Sequence, residues 1–138
     1  MTSRTLVICK PDAVERGLAG EIVARLERKG LRLVAAELRT IDEATAGRHY
    51  AEHQAKPFYG ELVSFITGGP CLLVVAESSE ADTWQMVRTL MGTTDPAQSP
   101  PGTIRGDYGV RLRDNLVHGS DSQASADREI ALFFPDLA

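Results

Sequence analysis

The sequence predicts an α/β (α+β) fold, a ferredoxin-like βαββαβ sandwich in which a four-stranded antiparallel sheet is covered by helices. Three observations predict it. Short apolar, partly β-branched runs bounded by turn residues recur along the chain. Stretches of helical periodicity separate them. The strands are too few to close a barrel, which leaves a two-layer sandwich as the leading arrangement. At 138 residues the chain is long enough for one sizeable core, so residues 1–138 are read as a single domain.

Thr5 to Cys9 (TLVIC) reads as a buried strand stopped at Lys10-Pro11-Asp12, which puts Lys10 at a strand end. From Gly20 to Lys29 a helix is expected, with Ile22, Val23 and Leu26 on one face, Glu21, Arg25 and Arg28 elsewhere, and Gly30 as its stop. Leu31 to Ile41 is the second strand, after which Asp42 caps a helical stretch from Glu43 to Phe65. That stretch should break at Lys56-Pro57, because the residue before proline is biased out of the α region. Cys71 to Ala76 (CLLVVA), between Gly68-Gly69-Pro70 and Ser78-Ser79, is the strongest strand. A helix from Ala81 to Met91 follows, its inward stripe read as Trp84, Val87 and Met91. Periodicity then disappears from Gly92 to Val117, and a loop of that length in a small domain is usually functional. Ser122 to Arg128, capped by Ser120 or Ser122, is a short helix, and Ile130 to Phe134 (IALFF) reads as the last strand.

Composition narrows the function. Apolar residues at 43% and charged residues at 25% are ordinary globular values. A net charge of −4 gives no general attraction for nucleic acid, which is therefore not an expected partner. The cations are twelve Arg against three Lys, and the planar Arg fork suits bidentate phosphate contacts. Cys9 and Cys71 lie in apolar runs without ligand spacing, as free thiols of a reducing compartment would. Met-Thr-Ser-Arg leads into an apolar run too short for a signal-peptide core, and no stretch approaches transmembrane length, so a cytoplasmic protein without a membrane partner is expected.

Neither glycine-rich phosphate cradle, GxxxxGK[ST] or GxGxxG after a strand, is present, so any phosphate site must use side chains. The long loop offers Thr94, Arg105 and Asn115, with Arg88 before it and Lys10 at the first strand end. Cationic clamps with hydroxyl donors are what phosphoryl transfer needs, since its catalysis is mostly positioning and charge stabilisation. The run NLVHGSDS at 115–122 is the most distinctive. A neutral imidazole is a competent nucleophile, and a carboxylate on one ring nitrogen leaves the other free. Either Asp121 or Glu129 could be that carboxylate, although a helix from Ser122 to Glu129 would set its ends roughly 10 Å apart. His49-Tyr50-Ala51-Glu52-His53 matches the His-x-x-Glu-His pattern of inverted zinc peptidases, but over five residues chance explains it better than a metal site. Ser120 lacks the Gly-x-Ser-x-Gly elbow of a hydrolase.

Taken together, KPDAVERGL at 10–18, HYAEH at 49–53, KPFYGELV at 56–63, PGTIRGDYG at 101–109, NLVHGSDS at 115–122 and REIALFFP at 128–135 resemble the nucleoside diphosphate kinase family, in its order and from Arg4 to Pro135. The resemblance implies a ping-pong transfer of the γ-phosphoryl group from a nucleoside triphosphate to a nucleoside diphosphate. It makes His118 the nucleophile, phosphorylated on Nδ1, with Glu129 on the other ring nitrogen and Ser120 supporting Glu129. Tyr50 would lie near the transferred phosphate. Lys10, Arg88, Thr94 and Arg105 would bind phosphates, Lys10 and Asn115 the ribose hydroxyls, and Phe58 would stack on the base. Mg2+ is expected to ride on the substrate phosphates, with no protein metal site. The family also implies a homo-oligomer, a hexamer favoured over a tetramer. Asp114, Asp95, Tyr108 and Ser78 depart from the usual pattern. The alternative is a nucleotide-binding regulatory module without turnover, in which binding would survive His118→Ala.

Overall fold

The computed structural model describes residues 2–137. Four strands form one antiparallel sheet: β1 (Ser3–Cys9), β2 (Arg32–Arg39), β3 (Cys71–Ser78) and β4 (Val117–Gly119), in the order β2-β3-β1-β4. β1 and β3 pair centrally, with Val7 opposite Val74, and β4 joins the far side of β1, with His118 opposite Ile8.

Helices cover both faces, so the sheet is the middle of three layers and not one side of the two-layer sandwich expected from the sequence. After the short helix α1 (Pro11–Glu15), on one face α2 (Ala19–Arg28) and α5 (Thr83–Met91) pack Ile22, Leu26, Val87 and Met91 against Val7, Cys9, Val74 and Ala76. On the other, α3 (Glu43–His49), α4 (Tyr59–Ile66) and α7 (Gln123–Phe133) bring Ala46, Ile66, Ile130 and Phe133 onto Leu6, Ile8, Leu73 and Val75. Burial on both faces explains why TLVIC and CLLVVA are unbroken apolar runs.

Several elements differ from their sequence reading. Ile130 to Phe134 is not a strand: Gln123 to Phe133 is helix, with Ser122, not Ser120, accepting from the Ser125 amide as its cap. The fourth strand is instead the three residues around His118, too short to register as a pattern. Trp84 is half-buried outside the core, and the inward stripe of α5 is Thr83, Val87 and Met91. The 43–65 stretch ends its first helix at His49, earlier than the Lys56-Pro57 break, and Ala51–His53 is a separate 3-10 turn. The long loop carries a 3-10 turn at Pro96–Gln98 and the short helix α6 (Ile104–Tyr108), whose cap Thr103 accepts from the Gly106 amide. Arg25, off the apolar face of α2, ties α2 to α6 through Asp107 at 2.7 Å.

The departures from the family pattern have local work. Asp95 caps its 3-10 turn by accepting from the Ala97 amide, Tyr108 lies under the Arg25 guanidinium, and the Ser78 hydroxyl accepts from the Glu80 amide in the turn after β3.

Candidate active site

β4 positions His118. Residues directly opposite in an antiparallel pair share a face, and Ile8, the partner of His118, belongs to the core packed under α7. Val117 and Gly119 point the other way, toward α5, where a Cβ on Gly119 would come 2.6 Å from Met91 Sδ. The chain reverses through Ser120 to Ser122 and enters α7, which returns over this face and delivers Glu129 to His118. Glu129 Oε1 lies 3.0 Å from His118 Nε2 and accepts from the Ser120 hydroxyl at 2.6 Å. Burial pushes the Glu129 carboxyl up, but the hydrogen bond and charge of His118, with Ser120, hold it down at about 2. An ionised carboxylate can only accept, so His118 donates from Nε2 and Nδ1 keeps its lone pair.

A tight turn supports the strand from below. Leu116, fully buried, has φ 73°, the one positive-φ non-glycine residue among those described. The Val117 amide donates to Asn115 O at 2.8 Å around it, forming the strained, positive-φ kind of γ-turn. Neighbours clamp this turn from several sides. The Leu116 amide donates to Asp12 Oδ2 at 3.0 Å, the Lys10 amide to Leu116 O at 2.9 Å, and the Arg105 guanidinium to the carbonyls of Asn115 and Val117. Arg105 also reaches Thr93 O at 3.1 Å, so much of its donor fork is spent on backbone.

A cavity of about 680 Å³ opens over the turn and the strand. Lys10, Tyr50, Phe58, Arg88, Thr94, Arg105, Asn115, His118 and Glu129 all line it. Ser120 is fully buried behind them, on Glu129. The sequence-predicted residues therefore converge, although they come from separate elements and loops spread from β1 to α7. One end is cationic: Lys10 Nζ donates to Asn115 Oδ1 at 2.7 Å, and Arg88 to Gly119 O at 3.0 Å. Burial, then the Arg105 charge, lower Lys10 to about 8, while burial and Arg88 lower Arg105 to about 10. Burial also pushes the Tyr50 hydroxyl up, keeping it a neutral donor. Phe58, 43% exposed, offers a ring face at the outer wall. A cationic floor with the His118 imidazole above it and an aromatic plate at the mouth suits a phosphorylated, ring-bearing ligand.

The zinc-peptidase pattern does not assemble. His49 ends α3 and His53 sits in the following 3-10 turn, so the two rings do not share a helical face. Sequence reasoning missed two residues. Asp12, which holds the Leu116 amide, was read only as part of a strand stop. His49 stands edge-on to His118 with ring centroids 4.7 Å apart; its place beside Tyr50 in HYAEH was the available signal. Asp121, the other candidate carboxylate, lines the cavity but has no bond to His118. Glu61 and Glu52 at the rim pair with Arg113 and His53.

The family model described as nucleoside diphosphate kinase matches residues 3–138. A nucleoside diphosphate kinase of Thermobifida fusca is 58% identical over 135 residues, covering 98% of each chain. One of Mycobacterium leprae is 56% identical, covering 99% of this chain and all of its own. Among solved structures, a halophilic nucleoside diphosphate kinase from Halobacterium salinarum in complex with CDP superposes with a TM-score of 0.93 at 53% identity, over 97% of this chain and 88% of that one. A nucleoside diphosphate kinase family protein from Babesia bovis gives 0.92 at 43% identity, over 97% and 90%. This chain belongs to the nucleoside diphosphate kinase family, and its activity is phosphoryl transfer from a nucleoside triphosphate to a nucleoside diphosphate.

Proposed function

We propose that His118 carries the phosphoryl group between the two nucleotides. The observation that supports this most is the His118–Glu129–Ser120 chain, which puts the proton on Nε2 and leaves the lone pair on Nδ1. Nδ1 attacks the γ-phosphorus; an N–P bond forms, the P–O bond to the leaving diphosphate breaks, and Glu129 offsets the positive charge gathering on the ring. A second nucleoside diphosphate then attacks the phosphorus through a terminal phosphate oxygen, the N–P bond breaks, and His118 returns to its starting tautomer.

Lys10, Arg88, Thr94 and Arg105 bind the phosphates and the charge that spreads over their oxygens in the transition state. Arg105 acts partly through the backbone it clamps. Tyr50 donates near the transferred group. Lys10 and Asn115, already joined at 2.7 Å, take the ribose hydroxyls. Phe58 stacks on the base, which fits broad nucleotide tolerance because every base has a π face. The CDP complex of the Halobacterium relative supports a nucleoside diphosphate as acceptor.

Mg2+ would be held by the substrate phosphates, where it would neutralise the charge developing on their oxygens. The rim carboxylates Glu52 and Glu61 are paired with neighbours, and Glu129 with His118, which suits a metal carried by substrate better than one caged by protein. Residues 1–138 act as one catalytic domain, in the cytoplasm. Among the described residues no helix is long and apolar enough to cross a membrane. The working unit is a homo-oligomer, a hexamer in preference to a tetramer. Exposed Leu38 on the edge strand β2, and exposed Val110, are apolar surface that other copies would cover.

Initial rates with Mg-ATP and a diphosphate acceptor varied together test this. Parallel double-reciprocal lines are expected; intersecting lines would indicate direct transfer in a ternary complex and overturn the covalent route.

A further inference from the structure

His49 is only 3% exposed, and both its ring nitrogens are buried without a hydrogen-bond partner. A polar ring sealed off in this state is usually accounted for by something the protein does not itself supply, a water or an ion. The ring is wedged between Tyr50, Phe133 and His118, at centroid distances of 4.6, 5.4 and 4.7 Å. One nitrogen each of His49 and His118 and a carboxylate oxygen of Glu129 lie within 4.8 Å of one another, the only such group of three among the described residues.

We propose that His49, His118 and Glu129 form a binding site for a divalent transition-metal ion of the zinc type, and that its occupancy takes the nucleophile out of turnover. Two imidazoles and one carboxylate, with a fourth position open to water from the cavity, are a donor set that zinc accepts and magnesium does not. The site is therefore distinct in chemistry from the magnesium carried by the nucleotide. Ser120, donating to Glu129 Oε1 at 2.6 Å, orients the carboxylate as outer partners of metal ligands do.

Two features limit the affinity. A tetrahedral zinc with bonds of about 2.0–2.1 Å sets its donors roughly 3.4 Å apart, so the wider spacing must close by about an ångström through side-chain rotation. Lys10 and Arg128 also stand near enough to His49 to oppose a cation. Binding should be weaker than at a dedicated four-ligand centre.

The consequence for catalysis rests on the phosphohistidine reading; the site itself does not. In the resting enzyme the imidazole proton is on Nε2. An ion on the Nε2 lone pair sends that proton to Nδ1, with no net proton gained or lost, and Glu129 turns from hydrogen-bond acceptor into ligand. Nδ1 then has no lone pair with which to attack phosphorus.

The test titrates chelator-stripped full-length protein with Zn2+ alone, without nucleotide, by calorimetry, and with Co2+ by visible absorption. Wild type, His49→Phe (which keeps a ring in the packed position) and His53→Ala (which removes the surface His53–Glu52 pair) are compared. Expected are one ion per chain, a tetrahedral cobalt spectrum, unchanged binding in His53→Ala, and a loss of about tenfold or more in His49→Phe. Ring NMR of the wild type gives an answer without any variant: zinc should shift His49 and His118 and leave His53. Equal affinity in a folded His49→Phe, an octahedral cobalt spectrum, or shifts confined to His53 would overturn the site. In the same preparations Zn2+ should slow phosphoenzyme formation at concentrations tracking its measured Kd, and binding without slowing overturns the inhibition. A protein that binds zinc as expected but forms no phosphoenzyme even without it would refute the catalytic reading and leave the site standing.

Discussion

Lys10 sits where two demands conflict. Burial beside Arg105 lowers it to about 8, against the pull of Asp12, Cys71 and Asp114, while its proposed work on phosphate needs the charged form. The cation is present below about 8 and lost above it, so kcat/KM for Mg-ATP should fall as pH rises through that value. In Lys10→Arg the alkaline limb should vanish, since a guanidinium stays charged. Stability moves the other way: between about 8 and 10.5 the unfolded chain holds the extra proton, so the fold gains stability as pH rises. A wild-type profile flat to pH 10.5, or one whose fall tracks unfolding, contradicts this role. Glu129→Gln tests the orienting carboxylate. Losing a charge-assisted hydrogen bond of about 1.5–3 kcal/mol should lower kcat by about 10- to 100-fold, with smaller change in KM. An unchanged kcat would mean the tautomer is set by something else. At this scale the convergence of His118, Lys10, Arg88 and Arg105 on one cavity was legible through the motifs that carry the resemblance, not through residue type alone. It was not legible for Asp12 or His49, whose importance comes from what the folded chain sets beside them.

The elements most plainly misread are those whose local pattern competes with tertiary context. IALFF has the apolar, aromatic make-up of a buried strand, yet Ile130 and Phe133 are three apart on α7 and both face the sheet. That reading displaced the actual fourth strand, Val117–Gly119, which only its pairing with β1 defines. Glu129 looked remote from His118 for another reason: a helix from Ser122 to Glu129 sets its ends roughly 10 Å apart, and the reversal at Ser120–Ser122 was invisible. Ser122 starts the helix that brings Glu129 back, and Ser122→Ala should cost about 1 kcal/mol of stability through the lost cap, read as a lower Tm. No change in Tm would remove that account. α6 gives a sharper test. A Cβ on Gly106 would lie 1.9 Å from the backbone oxygen of Pro100, which cannot swing aside. Gly106→Ala should therefore destabilise by about 1–3 kcal/mol or more. It should also raise KM, because Arg105 next to it clamps the turn under His118. A variant with wild-type Tm and KM would show that α6 moves freely of the site.

Across the whole molecule, the topology is what turns scattered residues into one site. The order β2-β3-β1-β4 places the ends of β1 and β4 together, so Lys10 and His118 meet although more than a hundred positions separate them. The fold class was readable because β1, β2, β3 and most helices announced themselves; the second helical cover was not read, although the unbroken apolar runs of β1 and β3 fit a sheet buried on both sides. The site was readable through motifs spread over the chain, since composition and periodicity do not say which cations converge. The central claim is that the cavity stores a phosphoryl group on His118 between two nucleotides. Its most direct test is intact-mass analysis of the protein after mixing with Mg-ATP, then with GDP, in parallel with His118→Ala. The account predicts one added phosphoryl group per chain, its loss on addition of GDP with appearance of GTP, and neither event in the variant. A folded wild-type protein that forms GTP without ever carrying the adduct, or a His118→Ala protein that still carries it, would contradict the account.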